Sequence, residues 1–294
     1  MFGAPPGTLR PMRFTKMQGL GNDYVYVDGW SEKVADPVAA AKFVANRQFG
    51  IGSDGLIVIH PSKTADFRME MYNADGSRGA MCGNGIRCCA KFVYERGHAK
   101  KAHLTAETDA GIKRMDLVVD GGKVVAVRVD MGAPILERSK IPMLGPAGSE
   151  NDRVISEQLH VQDRVFPVTA VSMGNPHCVL FVEDTESFPV ERVGRAIETL
   201  PVFPNRANVE FVKVVSRSEV VQRTWERGSG ETLACGTGAC GVVVAGRLNK
   251  LLDAKVTVHL RGGDLVIEWE GEGAPVFKTG PAVEVFNGEI EIPR

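Results

Sequence analysis

Net charge is almost absent from this chain: 35 lysines and arginines meet 36 aspartates and glutamates, leaving −1. Nothing in that balance points to nucleic acid or an anionic membrane as partner. Long apolar runs are missing too, and none approaches the ~18 residues that a membrane span needs. The opening stretch, Met1 to Pro11, lacks the apolar core of a secretory signal and reads as a short tail. Cysteine is scarce, and six in 294 residues make no disulfide scaffold. Cys88 and Cys89 are adjacent, and neither Cys82 to Cys88 nor Cys235 to Cys240 has the Cys-x₂₋₄-Cys spacing of structural zinc. No metal is expected, and a reduced, cytoplasmic protein is. With 44% hydrophobic and 24% charged residues the composition is that of an ordinary globular protein, long enough for two domains.

What the chain does have is an internal repeat. Met81-Cys82-Gly83-Asn84-Gly85-Ile86-Arg87 returns as Ala234-Cys235-Gly236-Thr237-Gly238-Ala239-Cys240, at an interval of 235 − 82 = 153 positions. The same interval joins Gly21-Asn22 to Gly174-Asn175, and Asn73 to Glu226. Three matches at one offset indicate two copies of one unit. The chain changes unit near Met131-Gly132-Ala133-Pro134.

The coarse pattern within each copy is α+β, with strands outnumbering helices. Short strands at 14–16 and 24–28 flank a turn, Gln18 to Asp23. Asp36-Pro37 starts a helix as N-cap and first residue, running to about Arg47 and burying Val38, Ala41 and Val44. A buried strand follows at 56–60, and Phe67, Met69 and Met71 alternate with polar residues as in a half-buried strand. After the first cysteine loop, Ile86, Cys89, Ala90 and Val93 fall at i, i+3, i+4 and i+7, so a helix runs from there to Gly97. The second copy has a helix from Pro189 to about Leu200 with Val190, Val193 and Ile197 on one face. Strands at 208–215 and 220–225, a helix at 239–248 and closing strands complete it.

A cysteine followed by Gly-x-Gly and a helix has a physical logic. The glycines turn the backbone so that several N–H groups point into one concavity at the positive helix end. A carboxylate fits there, and the same partial charge favours the thiolate of a cysteine beside it. One such loop suggests a nucleophile. Two suggest a thiolate that removes a proton and a thiol that returns one, which is acid–base catalysis with inversion at carbon. The plainer reading, that Cys82 and Cys235 are small buried residues, is outweighed by their shared setting. It stands for Cys88, Cys89, Cys178 and Cys240. Asn22, Asn73, Asn175, Asn208, Glu226 and Arg227 could fix a small zwitterion through amide, carboxylate and guanidinium groups. For Asn22 and Asn175 a purely conformational role in turns competes evenly. For His177 a satisfied structural histidine is the leading reading.

These motifs resemble the diaminopimelate epimerase family. The likeness runs through residues 16–23, 73–77, 82–88, 172–177, 226–232 and 234–240 in order, and covers the chain from about Arg13 to the C-terminus. It implies two pseudo-symmetric domains, each a curved mixed sheet wrapped around a central helix, over 1–130 with 281–294 and over 131–280. It also implies a cofactor-independent epimerase interconverting LL- and meso-diaminopimelate in lysine and peptidoglycan precursor synthesis. By resemblance Cys82 and Cys235 are the acid–base pair, supported by His177 and Glu226. Gly83, Asn84, Gly236 and Thr237 would hold the reacting carboxylate. Asn22, Asn73, Asn175, Asn208, Glu226 and Arg227 would hold the rest of the substrate. Some members carry a substrate-contacting glutamine where this chain has Gly55, so that contact is not carried over. The implied partner is a small molecule, with a homodimer as the assembly to test.

Two rivals remain open at this level. A proline or hydroxyproline racemase also uses two cysteines, but it typically has Ser-Pro where this chain has Leu233-Ala234. A non-catalytic amino-acid-binding protein would keep the polar set without needing both thiols.

Overall fold

A computed structural model describes residues 11–292, so the tail expected over the first eleven residues lies, Pro11 apart, outside the described residues. Tertiary contacts divide the chain into one unit that runs to Val127 and takes in Pro281 onward, and a second at Arg128–Gly280. The first contains β1 (Met12–Gly19), β2 (Asn22–Asp28), α1 (Pro37–Ala45), β3 (Gly55–His60), β4 (Phe67–Asn73) and β5 (Arg78–Gly79). It continues with α2 (Gly85–Arg96), β6 (His103–Thr108), β7 (Gly111–Asp120) and the start of β8 (Lys123–Asp130). The second contains β9 (Glu157–Val161), β10 (Arg164–Ser172), β11 (Pro176–Phe181), α3 (Val190–Glu198), β12 (Asn208–Ser216), β13 (Glu219–Glu226) and β14 (Gly230–Thr232). After α4 (Gly236–Leu248) come β15 (Lys255–Leu260), β16 (Gly263–Glu268) and β17 (Phe277–Gly280); β18 (Val283–Ile290) belongs to the first unit.

The repeat read in the sequence is written into the strand pairing. In the first unit β18–β1 and β1–β2 are antiparallel, β2–β3 parallel, β3–β4 antiparallel, β4–β6 parallel and β6–β7 antiparallel. In the second unit the same sequence of directions runs through β9–β10, β10–β11, β11–β12, β12–β13, β13–β15 and β15–β16. Each parallel step needs a crossover, and each of the four helices lies in one. This is a two-domain α+β fold.

Each sheet carries a helix on both faces. In α2, Ile86, Cys88, Cys89, Ala90 and Val93 are fully buried, and the helix packs against β1, β2, β4 and β7. In α4, residues Gly238 through Gly246 are buried without a break, against β10, β11, β12, β16 and β17. Helices hidden on nearly every side are core helices. The outer helices are amphipathic: Val190, Val193 and Ile197 of α3 meet Val209, Phe211 and Trp225. β3 is covered on both faces, which explains its unbroken run Leu56-Ile57-Val58-Ile59.

Two local expectations change. Val38 is 41% exposed, and α1 buries Ala40, Ala41, Val44 and Ala45 instead, small residues that let the helix sit close to the sheet. The helix stops at Ala45, capped by Asn46, while at its start Asp36 accepts a hydrogen bond from Ala39 N at 3.0 Å. The turn between β1 and β2 is tighter than the sequence suggested. Only Leu20 and Gly21 lie outside the strands, both left-handed with φ of 60° and 82°, as a two-residue hairpin turn requires.

Candidate functional site

In the first unit that turn delivers Asn22 to the mouth of α2. Cys82 lies just before the helix, where its Sγ accepts from Gly85 N at 3.3 Å and donates to Asn22 Oδ1 at 3.3 Å. Asn22 Nδ2 in turn donates to Asp54 at 2.7 Å. Tyr24, one strand pleat further, is nearly buried; burial first, then the charges of Cys82 and Asp54, push its phenol well above the usual range. The loop itself is pinned by buried Arg87, which donates to Gly83 O at 3.2 Å, Asn84 Oδ1 at 3.0 Å and Pro281 O at 2.9 Å. Gly83 and Asn84 are therefore held in place with carbonyl and side chain turned to Arg87. Asn73 shares no hydrogen bond with this cluster: its side chain donates to Ser77 Oγ at 2.9 Å across the turn between β4 and β5.

In the second unit Cys235 is the N-cap of α4. Its Sγ accepts from Gly238 N at 3.3 Å and lies 3.6 Å from Thr237 Oγ1. Thr237 accepts from Asn175 Nδ2 at 3.3 Å, and Asn175 Oδ1 meets His177 Nε2 at 3.0 Å. His177 is fully buried and its Nδ1 meets Glu210 Oε1 at 2.8 Å. It is thus a satisfied histidine, as expected, and also part of the cysteine's network. Asn208 ties down two backbones, donating to Pro176 O at 2.9 Å and accepting from Arg227 N at 3.0 Å. Arg227 donates to Asn205 O at 2.9 Å, and Glu226 accepts from Thr232 Oγ1 at 2.5 Å. Gly236 opens the helix beside the cysteine.

One electrostatic expectation is corrected. The helix N-terminus alone would favour the thiolate, but Cys235 is only 4% exposed. Burial, then the charges of Glu226 and Glu210, push its thiol well above the usual range, against the hydrogen bonds from Thr237 and Gly238. Burial likewise raises Glu210, opposed by His177. Cys88, held up by burial to about 11, and Cys89, Cys178 and Cys240 are fully buried, as the structural reading requires. Among the described residues, His177, Glu210 and Cys235 have donor types and spacing within reach of one metal ion, since one donor atom of each lies within 4.8 Å of the others. The 2.8 Å His177–Glu210 contact is an ordinary hydrogen-bond length, so the pair reads as a hydrogen bond rather than as ligation.

Tyr24, Arg87 and Glu210 did not stand out in the sequence. For Glu210 a signal existed, because it interrupts an otherwise buried strand, Asn208-Val209-Glu210-Phe211, where a lone acid needs a partner.

The profile described as Diaminopimelate epimerase matches residues 14–137 and 169–285. The chain belongs to the diaminopimelate epimerase family. A protein named diaminopimelate epimerase from Agathobacter rectalis is 55% identical over 284 residues, spanning 96% of this chain and all of its own. Another of that name from Methanococcus maripaludis is 52% identical over 281 residues, again 96% of this chain and all of its own. Among solved structures, a Bacillus anthracis phenazine biosynthesis protein of the PhzF family superposes with a TM-score of 0.72 at 19% identity, covering 97% of this chain and 100% of its own. A probable proline racemase from Agrobacterium radiobacter does so with a TM-score of 0.69 at 13% identity, covering 96% and 93%. At such identities these two show the fold alone. The chain is an isomerase of the epimerase kind, and no helix among the described residues is long and apolar enough to cross a membrane.

Proposed function

We propose that this epimerase inverts one α-carbon of 2,6-diaminopimelate, LL to meso and back, with Cys82 and Cys235 as its two proton-transfer groups and no cofactor. The observation that carries this reading is the repeated thiol geometry: Gly85 N to Cys82 Sγ and Gly238 N to Cys235 Sγ are both 3.3 Å, at equivalent positions of α2 and α4. One thiolate removes the α-proton and the other thiol supplies a new one, so the carbon leaves with opposite configuration. The negative charge that develops passes into the substrate carboxylate. Backbone amides at Gly83 and Asn84, and at Gly236 and Thr237, are the donors suited to hold it at two helix N-termini. His177 and Glu226 adjust the second thiol. Asn22, Asn73, Asn175, Asn208 and Arg227 hold the unreacting amino-acid end. The domains that contribute are 1–130 with 281–294, and 131–280. The free state of all six cysteines supports a reducing, cytoplasmic setting.

The test is direct. Purified protein is given LL-2,6-diaminopimelate in a buffer with chelator and without pyridoxal phosphate, and the isomers are separated by chromatography. The meso isomer should accumulate to equilibrium from either side. No conversion, or racemisation of proline in its place, would sink the proposal.

A further inference from the structure

Position 210 is a place where the two units differ in kind. The equivalent residue 153 positions earlier is Ile57, whose Cδ1 packs 2.8 Å from where a Cβ on Gly85 would sit. At the matching place in the second unit, Glu210 Oε1 lies 2.6 Å from the Cβ that Gly238 lacks. A fully buried carboxyl has therefore replaced a methyl beside the amide that binds the catalytic sulfur. Its Oε2 has no hydrogen-bond partner among the described residues, so Oε1 and His177 Nδ1 make its only side-chain bond. A buried acid with half its acceptor capacity idle is costly to keep.

The hydrogen-bond pattern around His177 shows what it does. Glu210 Oε1 faces one ring nitrogen and Asn175 Oδ1 the other. Asn175 is oriented with Nδ2 toward Thr237 Oγ1 and Oδ1 toward His177 Nε2. His177 must then donate from Nε2, while a single proton lies between Nδ1 and Glu210. From there the chain continues through Asn175 and Thr237 to Cys235 Sγ.

We propose that Glu210 is a positioning residue for Cys235: it holds one proton in common with His177, locks that ring as an Nε2–H donor, and through Asn175 and Thr237 fixes the sulfur. The role in catalysis rests on the function proposed above, whereas the protonation state of His177 does not. The titratable groups facing Glu210 are His177 and Cys178 on β11, Glu226 on β13 and Cys235 at the start of α4. Two of these are thiols, which burial pushes up, and one a carboxylate, so His177 is the one basic group among the four.

The experiment is ¹⁵N NMR of histidine-labelled whole protein, with kinetics on Glu210→Gln and Glu210→Asp. In the wild type, the ¹⁵N shifts should show the His177 proton on Nε2. A His177 that carries its proton on Nδ1 alone overturns the proposal even if neither variant folds. In Glu210→Gln, which keeps shape and loses the shared proton, kcat should fall roughly 10²-fold with KM within about threefold. The pH profile of kcat should shift as well, and Glu210→Asp should recover part of the rate. An unchanged pH profile in a folded Glu210→Gln protein would mean that the carboxyl is structural only, and would also overturn it. If the NMR outcome holds while no epimerisation is seen in any form, the failure lies with the proposed function instead.

Discussion

The two cysteine loops share a backbone and differ in what surrounds the sulfur. Each thiol accepts the amide three residues on at 3.3 Å, at the start of a buried helix. Cys82 is half-buried beside Asn22 and Tyr24, with Ile57 under the loop and the Asp54 carboxylate one hydrogen bond further off. Cys235 is buried, with His177 where Tyr24 stands, Glu210 where Ile57 stands, and Glu226 where Asn73 stands. Duplication supplies matched geometry, and divergence at three positions supplies the electrostatic difference. A reaction that needs one base and one acid at the same instant needs both. Burial and two carboxylates keep Cys235 in the thiol form at neutral pH.

The largest test removes either sulfur. Cys82→Ala and Cys235→Ala should each lower epimerisation at least ~10³-fold, followed by isomer chromatography, because neither thiol can serve both faces of the carbon. If one of the two variants keeps substantial activity, the halves are not equal partners in the reaction.

A methyl group at equivalent glycines probes the divergence itself. In Gly238→Ala the new Cβ would meet Glu210 Oε1 at 2.6 Å and Cys235 Sγ at 3.2 Å, whereas in Gly85→Ala it would meet the movable end of Ile57 at 2.8 Å. We expect kcat/KM to drop ~10²-fold in the first, as a misplaced reacting group does, and less than about tenfold in the second. Equal losses would erase the distinction between the loops.

Reactivity should divide the thiols in the same direction. Iodoacetamide at pH 8, with peptide mass spectrometry over time, should label Cys82 at least ~10-fold faster than Cys235, which is buried and little ionised.

The smallest effect concerns a feature with no counterpart in the second unit. Lys16 is buried beside Asp23, an ion pair of 2.5 Å, and Arg47 joins at 3.0 Å, while Thr169 and Pro176 occupy the matching places. Burial works to raise the Asp23 carboxyl, but hydrogen bonds from Lys16 and Arg47 win and hold it low. Its contribution is therefore present above the unfolded carboxyl pKa of ~3.9 and disappears as pH falls through the lower folded value. Asp23→Asn should cost about 1–3 kcal/mol in urea unfolding at pH 7, and the gap to wild type should close below about pH 4.

Much of this was legible from residue order. The repeat at 153 positions, the cysteine loops, the Asp36-Pro37 cap and the Gly97 stop are all local signals, and the strand pairing follows them. What was not legible depends on burial. Val38 sits at a helical position that periodicity assigns to the core, yet small alanines take that face. Helix-end electrostatics correctly marks Cys235 as special but gets the direction of its pKa wrong, because burial outweighs the helix end and because Glu226 and Glu210 come from strands that only the parallel β11–β12 and antiparallel β12–β13 pairings bring near. Tyr24 and Arg87 look unremarkable until Asn22 and the glycine loop are placed against them.

The most direct measurement of the two-thiol reaction is the initial rate in D₂O, started separately from LL- and meso-diaminopimelate. Product formed in the first few per cent of turnover should carry one deuterium at the inverted carbon, while recovered starting isomer stays unlabelled. Product that retains protium, or starting isomer that gains deuterium as fast as product appears, would mean that one group works on both faces and would contradict the pairing of Cys82 with Cys235.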